Sequence, residues 1–310
     1  MNKDLIIRSD DFQGSKFPDL AVLYSEEWQA MFEVAEIKFF SAKGQVVVEG
    51  QEGAYLYLVR SGLLRVIKQH AGSTYEVATI GPGEIFGEAS ILYQSKSSAI
   101  VHVVDDCVLY AIPCSKVQEF LKSNEHFLRA TQQLVEKRSA ANALVVNPIF
   151  STLPMPVREV ILYNAKFFSL DAGEVLMLEG EADDKHMFII LDGELEVSIH
   201  DPRKKGEHLT LTTLSSGDEA GEITVVTSLP HMATVTAVGA VRVLAIRNSS
   251  VLAWADRHVE FAYALYATVY RKLMQTQDSV LTASKVEFLT RYAMPSLEEF
   301  KKKHHLSTSP

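Results

Sequence analysis

Two cysteines in 310 residues, Cys107 and Cys114, lie too close together to staple a domain and lack metal-ligand spacing. Their scarcity excludes a disulfide scaffold, fits a reducing compartment and leaves both thiols as packing residues. Long apolar runs are missing too: nothing approaches the roughly 18 unbroken apolar residues of a membrane span. The opening MNKDLIIRSDD lacks the charged-then-apolar layout of a secretory leader, so a soluble cytoplasmic chain without a membrane partner is the expectation. Positive charge is in short supply, with 30 Lys+Arg against 39 Asp+Glu and a net charge of -9. That balance argues against a nucleic-acid partner, because such binding draws on Lys and Arg set against phosphates. Also absent are Gly-x-Ser-x-Gly, Gly-x-x-x-x-Gly-Lys and His-Glu-x-x-His. GPGEIFG, from Gly81 to Gly87, is one residue too long for a dinucleotide loop and reads as a turn. His186, His200 and His208 stand apart in sequence with no His-x-His pair, which argues against a metal site. No enzyme is expected.

What the chain does contain is a duplication. FFSAKGQVVVEGQEGAYLYLVRSGLLRV from Phe39 answers FFSLDAGEVLMLEGEADDKHMFIILDGELEV from Phe167. Gly44, Gly50 and Gly62 pair with Gly173, Gly180 and Gly193, and GPGEIFGEASIL from Gly81 pairs with SSGDEAGEITVV from Ser215. The offset between copies grows from 129 at Gly44 and Gly173 to 134 at Gly87 and Gly221, so the second copy carries extra loop residues. Each copy is a series of short runs such as YLYLV and LLRVIK, rich in β-branched and aromatic residues and separated by Gly, Asp, Ser or Pro. Asp192-Gly193 and Ser61-Gly62 are hairpin turns. Many strands with no helix between them imply an antiparallel roll or sandwich.

Helical patterns flank each roll. SEEWQAMFEVA puts Trp28, Met31, Phe32 and Ala35 on one face behind a Ser25 cap. A helix is expected from about Ser115 to about Ala140, carrying Val117, Phe120, Leu121, Leu128 and Leu134. Pro154 and Pro156 open the helix VREVIL. A long helix over 250–277 carries Val259, Tyr263, Tyr266, Tyr270 and Leu273 at coiled-coil steps, readable either as a face packed on its own domain or as a dimer seam. LEEFKKK is a weaker helical stretch, and its lysines read as a solvated end. The chain divides into an N-terminal helical segment over 1–36, a first domain over 37–148, a second over 149–280 and a tail over 281–310.

The glycines, together with Phe86-Gly87-Glu88 and Ala220-Gly221-Glu222, resemble the cyclic-nucleotide-binding domain family. That is the β-roll module of the bacterial cyclic AMP receptor protein and of the regulatory subunits of cyclic-AMP-dependent protein kinase. The resemblance spans about 35–140 and 155–275. It implies a mainly β fold with flanking helices, two tandem double-stranded β-helix (jelly-roll) domains. In such domains a short helix follows Gly-Glu and turns its free N–H groups toward the cyclic phosphate. The glutamate accepts from the ribose hydroxyl, and an arginine further on, usually after a proline, supplies the counter-charge. Carried over, this implies ligand-binding residues Gly221, Glu222, Ile223, Thr224, His231, Met232, Ala233 and Thr234 in the second domain. In the first it implies Gly87, Glu88, Ala89, Ser97, Ser98 and Ala99, a weaker set.

The arginine is missing twice. Lys96-Ser97 and Pro230-His231 stand where Pro-Arg belongs. Lys96 is displaced by one residue, and on an extended segment its side chain points the other way. Losing one partner of a buried charge pair costs about 2–5 kcal/mol, on the order of 30- to several-thousand-fold in affinity. Histidine replaces the charge only when protonated, which leaves the second domain as the better candidate for retained anion binding. Glu88 and Glu222 serve either the ribose or the N-terminus of the short helix.

The expected protein is therefore a non-enzymatic regulator with two degenerate cyclic-nucleotide-binding domains. It acts through protein contact, with nucleotide binding weak, altered or absent. The alternative is a working cAMP or cGMP receptor using the second domain. No fixed cofactor is implied beyond cAMP or another cyclic nucleotide as ligand. The expected partner is another protein, with a homodimer through 250–277 as a further option.

Overall fold

The computed structural model describes residues 31, 33–164, 166–181, 186–201, 207–280 and 296–303. The chain separates into two compact units, Met1–Arg138 and Ser139–Pro310.

The first unit contains β1 (Glu36–Phe40), β2 (Gln45–Val47), β3 (Tyr55–Ser61), β4 (Leu64–His70), β5 (Ser73–Ile80), β6 (Ile85–Phe86), β7 (Ile100–Val103) and β8 (Cys107–Pro113). They form two four-stranded sheets in the orders β1-β8-β3-β6 and β2-β7-β4-β5, antiparallel throughout. The second unit repeats them as β9 (Lys166–Leu170), β10 (Val175–Met177), β11 (His186–Asp192), β12 (Leu195–His200), β13 (His208–Leu214), β14 (Glu219–Ala220), β15 (Thr234–Ala237) and β16 (Val241–Arg247). The orders are β9-β16-β11-β14 and β10-β15-β12-β13. Each unit is a jelly roll.

The continuous apolar runs YLYLV and MFIIL are strands buried on both faces. Along β3, Leu56 and Leu58 face a cluster with Tyr110, Val117 and Phe127, whereas Tyr57 and Val59 join Leu64, Val101 and Leu109. Along β11, Met187, Ile189 and Leu191 point to the helical core with Phe150, Phe261 and Leu265, while Phe188 and Ile190 meet Leu195, Val235 and Val243. Period-two alternation thus gives each roll an interior core and a helix-covered core.

The helices are α1 (Glu88–Tyr93), α2 (Cys114–Ser123), α3 (Glu125–Val146), α4 (Met155–Asn164), α5 (Glu222–Thr227), α6 (Asn248–Ala255), α7 (Val259–Val280) and α8 (Leu297–Lys303). The single helix expected from Ser115 is broken at Asn124, whose backbone is extended (φ -129, ψ 95). Its Oδ1 accepts the Phe127 N–H at 2.9 Å, so Asn124 caps a new helix. The helix expected over 250–277 is likewise broken: α6 closes where the N–H groups of Arg257 and His258 bond back to the Trp254 carbonyl, and α7 restarts at Val259. Met31 and Ala35 pack on the first helical core as expected; Ser25, Trp28 and Phe32 lie outside the described residues. Cys107 and Cys114 are free thiols, held above the ordinary thiol range by burial.

His200 and His208, apart in sequence, are cross-strand partners with ring centroids 4.6 Å apart. His200 Nδ1 lies 2.8 Å from Glu179 Oε2. No group of three or more His, Cys, Asp and Glu among the described residues is placed to hold a metal. No described helix is long and apolar enough to cross a membrane.

The weaker helical stretch LEEFKKK forms α8, in which Lys302 is exposed while the start of the helix is anchored. Ser296 and Glu299 form a capping box: Glu299 Oε2 accepts the Ser296 N–H at 2.7 Å, and Ser296 Oγ accepts the Glu299 N–H at 3.2 Å. Phe300 is wholly buried in the second unit's core, its ring 5.7 Å from Tyr266. Tyr263 and Tyr270, on the same stripe of α7, are exposed.

Candidate functional site

Each candidate cassette begins with a glycine in the left-handed region, Gly87 at φ 89 and Gly221 at φ 90. At Gly87 a Cβ would come within 2.6 Å of the Tyr55 carbonyl oxygen, so both backbone sign and space require glycine. A six-residue helix follows in each roll, α1 or α5, closed by a left-handed Gln94 or Ser228.

The backbone settles which residues occupy the arginine position. The Ser97 N–H donates to Gln51 O and Ser97 O accepts from the Gly50 N–H, both at 2.8 Å. His231 makes the same two bonds, with Glu181 O and the Gly180 N–H, both at 2.9 Å. Ser97 and His231 are therefore structural equivalents, and Lys96 is exposed.

In the second roll Gly221, Glu222, His231, Met232 and Thr234 are buried, with Ile223, Thr224 and Ala233 partly so. His231 Nδ1 pairs with Thr224 Oγ1 at 3.2 Å, and Thr234 Oγ1 accepts the Glu179 N–H at 3.1 Å. These groups gather on one side of α5, except that the Met232 side chain turns into the helical core. In the first roll Glu88 is buried, Gly87, Ala89, Ser97 and Ala99 are half-buried, and Ser98 is exposed. Ser90, the counterpart of Thr224, donates to Gly87 O at 3.2 Å.

The two glutamates do something the sequence did not disclose. Both glutamates stand in the first turn of their short helix, behind a glycine N-cap that has no side chain to offer. Glu88 Oε1 accepts from Arg138 on α3 at 3.1 Å, and the same guanidinium donates to Ile85 O at 2.6 Å. Glu222 Oε1 accepts from Lys272 on α7 at 3.1 Å, and Lys272 Nζ also donates to Glu219 O at 2.9 Å. Every partner repeats at the offset of 134 that relates Gly87 to Gly221: Ile85 with Glu219, Glu88 with Glu222, Arg138 with Lys272. Two basic residues at one repeat position was the signal available.

A further difference between the cassettes lies beside the glutamate. Where the first has Ile85, the second has Glu219, only 3% exposed. Its Oε1 lies 2.7 Å from Lys272 Nζ and its Oε2 accepts from Asn147 Nδ2 at 2.5 Å. Two buried carboxylates thus share one ammonium, and Glu222 Oε2 has no hydrogen-bond partner among the described residues. Burial pushes the Glu222 carboxyl above the ordinary range, Lys272 opposing and Glu219 adding to the rise. Burial works against the Lys272 ammonium, but the two carboxylates outweigh it and hold that group well above the usual lysine range.

Two stretches, 37–124 and 167–258, match the family described as "Cyclic nucleotide-binding domain". The chain is similar to the cAMP-dependent protein kinase regulatory subunits of Yarrowia lipolytica (30% identity over 62% of this chain and 47% of the relative) and Dictyostelium discoideum (27% over 70% and 64%). It spans about half the length of such relatives. Among solved structures it is similar to the regulatory domain of Toxoplasma gondii PKA with cAMP (20% identity, TM-score 0.37, 81% of this chain and 92% of that one). It is also similar to the guanosine-bound regulatory subunit of a cAMP-independent protein kinase A from Trypanosoma cruzi (16%, TM-score 0.35, 88% and 94%). With both rolls matched over more than half its length, the chain belongs to the cyclic nucleotide-binding domain family.

Proposed function

We propose that this chain is a non-catalytic cytoplasmic regulator that works through protein contact, with cyclic-nucleotide binding weak or lost in both rolls. One observation carries the reading. The arginine position holds Ser97 or His231, and each cassette glutamate already bonds a basic residue of its own roll's helix, Arg138 or Lys272. A cyclic phosphate would lose its water with no permanent cation at the arginine position, and the ribose hydroxyl would compete with Arg138 or Lys272 for the glutamate. In the second roll the nucleotide would also meet a second buried acidic residue, Glu219. Relatives named as regulatory subunits of a kinase make a protein kinase catalytic subunit the natural partner class.

Thermal unfolding of the full chain with cAMP, cGMP and cyclic dinucleotides tests this. A ligand at a hundred times its dissociation constant adds about 2.7 kcal/mol, so millimolar nucleotide should leave the transition unmoved. The unpartnered Glu222 Oε2 favours a second reading, in which the second roll keeps a ribose-binding acceptor. A shift with wild-type protein that Glu222→Gln abolishes would establish that reading and end the first.

A further inference from the structure

The second roll contains an ionic arrangement that neither strand pairing nor packing requires. Lys272 Nζ makes three contacts: Glu219 Oε1, Glu219 O and Glu222 Oε1. Glu219 is fully served, with Lys272 on one oxygen and Asn147 on the other. Asn147 is itself fixed, donating to Gly217 O at 3.0 Å and accepting the N–H groups of Ile149 and Phe150. Glu222 is left with the longest of the lysine contacts and one bare oxygen, at 2% exposure. Counted as charges, the cluster is two negatives and one positive in a place nearly closed to water.

Such a cluster is most stable with one proton added. We propose that Glu219, Glu222 and Lys272 form a proton-operated clasp between the second cassette and α7: the protonated clasp holds α7 down, and the deprotonated clasp loosens it. The proton resides on Glu222, because Glu219 already has a donor on each oxygen. Losing it leaves a nearly fully buried carboxylate whose Oε2 has no donor among the described residues, and the strain falls on the contact between α5 and α7. The elements packed on α5 supply few other charges. Glu219 comes from β14 and Lys272 from α7, α6 (NSSVLAWA) has no ionisable side chain, and Asn147 is neutral. His231 meets α5 at Thr224. At the matching place in the first roll Glu88 pairs with Arg138, and the counterpart of Glu219 is the apolar Ile85.

The sign follows from linkage. A carboxyl whose pKa is higher in the folded than in the unfolded chain contributes stability that is complete below the unfolded value. That stability is lost as pH rises through the folded value. The second roll should therefore loosen on going alkaline, opposite to the common behaviour of paired carboxylates. The inference stands on the second roll alone and does not depend on whether any nucleotide binds.

Hydrogen exchange on the full-length protein tests it, read as protection factors for α7 at pH 6 and pH 9 so that intrinsic exchange cancels. Wild type should lose at least tenfold protection across α7 on going to pH 9, with residues 125–138, the first-unit part of α3, changing far less. Glu222→Gln removes the titrating group and Glu219→Gln removes the excess charge; each should flatten the profile. Because either variant could weaken the fold, the readout is the pH 6 to pH 9 ratio within each protein. A Glu222→Gln ratio equal to wild type overturns the proposal. So does a flat profile in His231→Gln with Glu222 intact, which would assign the titration to the histidine.

Discussion

The two rolls share strand order, the αL glycine before the short helix and the basic residue reaching back to the cassette glutamate, yet differ in what surrounds that basic residue. Ile85 in the first roll is Glu219 in the second, and with it the basic residue meets two buried carboxyls rather than one. Duplication kept the geometry and let the electrostatics drift. The second cassette, which histidine made the better anion candidate on sequence grounds, also holds the extra buried carboxyl, Glu219.

Removing the basic residue from each roll should separate them most sharply. Lys272→Met leaves two buried carboxylates without a cation and should cost the second unit about 3–5 kcal/mol. Arg138→Met leaves one carboxylate and one carbonyl, and should cost the first about 1–3 kcal/mol. Denaturant unfolding followed by Trp254 in a Trp28→Phe background reports the second unit, because Trp254 packs edge-on against Phe150 and Phe261. Equal costs would erase the proposed distinction. Converting the second cluster to the first roll's set with Glu219→Ile plus Lys272→Arg should recover most of the stability that Lys272→Met loses.

Next in size is an asymmetry outside the cassettes. Phe300 has no counterpart in the first copy and is completely buried. Phe300→Ala should cost the second unit about 3 kcal/mol through the cavity it leaves, while the first unit's transition stays put. If the second transition is unmoved, α8 is not an integral part of that core.

Restoring the missing cation sharpens the comparison from the ligand side. Ser97→Arg should raise cAMP affinity by about 2 kcal/mol or more, since the first cassette is otherwise charge-balanced. His231→Arg should gain less, because Glu219 and Glu222 draw on the same positive charge. Calorimetry of both variants decides it, and a larger gain at His231 would contradict the account of excess charge in the second roll.

The fold was legible because its signals are local: paired glycines, hairpin dipeptides and apolar strands buried on both faces. The cassettes were legible as loops through Gly-Glu and through the Ser97 and His231 substitutions. The basic residues were not, because Arg138 and Lys272 each lie 50 residues beyond the glutamate they hold. Helical periodicity shows which face a residue occupies but not which distant carboxylate that face meets. Only the offset of 134, extended past the cassette into the helices, marks them as a pair. Glu219 was hidden differently: a single charged residue in a two-residue strand carries no periodic signature, and its burial depends on Asn147 and Lys272 arriving from opposite ends of the second unit.

The helix breaks give the smallest and most local contrast. Asn124 and His258 are related by the same offset of 134, and each precedes a helix of 22 residues. At both positions the carbonyl accepts the first helical N–H, from Leu128 or Ala262, at 3.0 Å. Only Asn124 adds a side-chain bond, to the Phe127 N–H. Asparagine is among the best N-cap residues and histidine is not, so Asn124→Ala should cost the first unit about 1 kcal/mol. His258→Asn should add up to about 1 kcal/mol to the second by supplying the cap its copy lacks. Paired denaturation curves would show both, with opposite signs in opposite units. A His258→Asn variant that gains nothing would mean that α7 is held at its start by packing of Phe261 and Leu265 rather than by its cap.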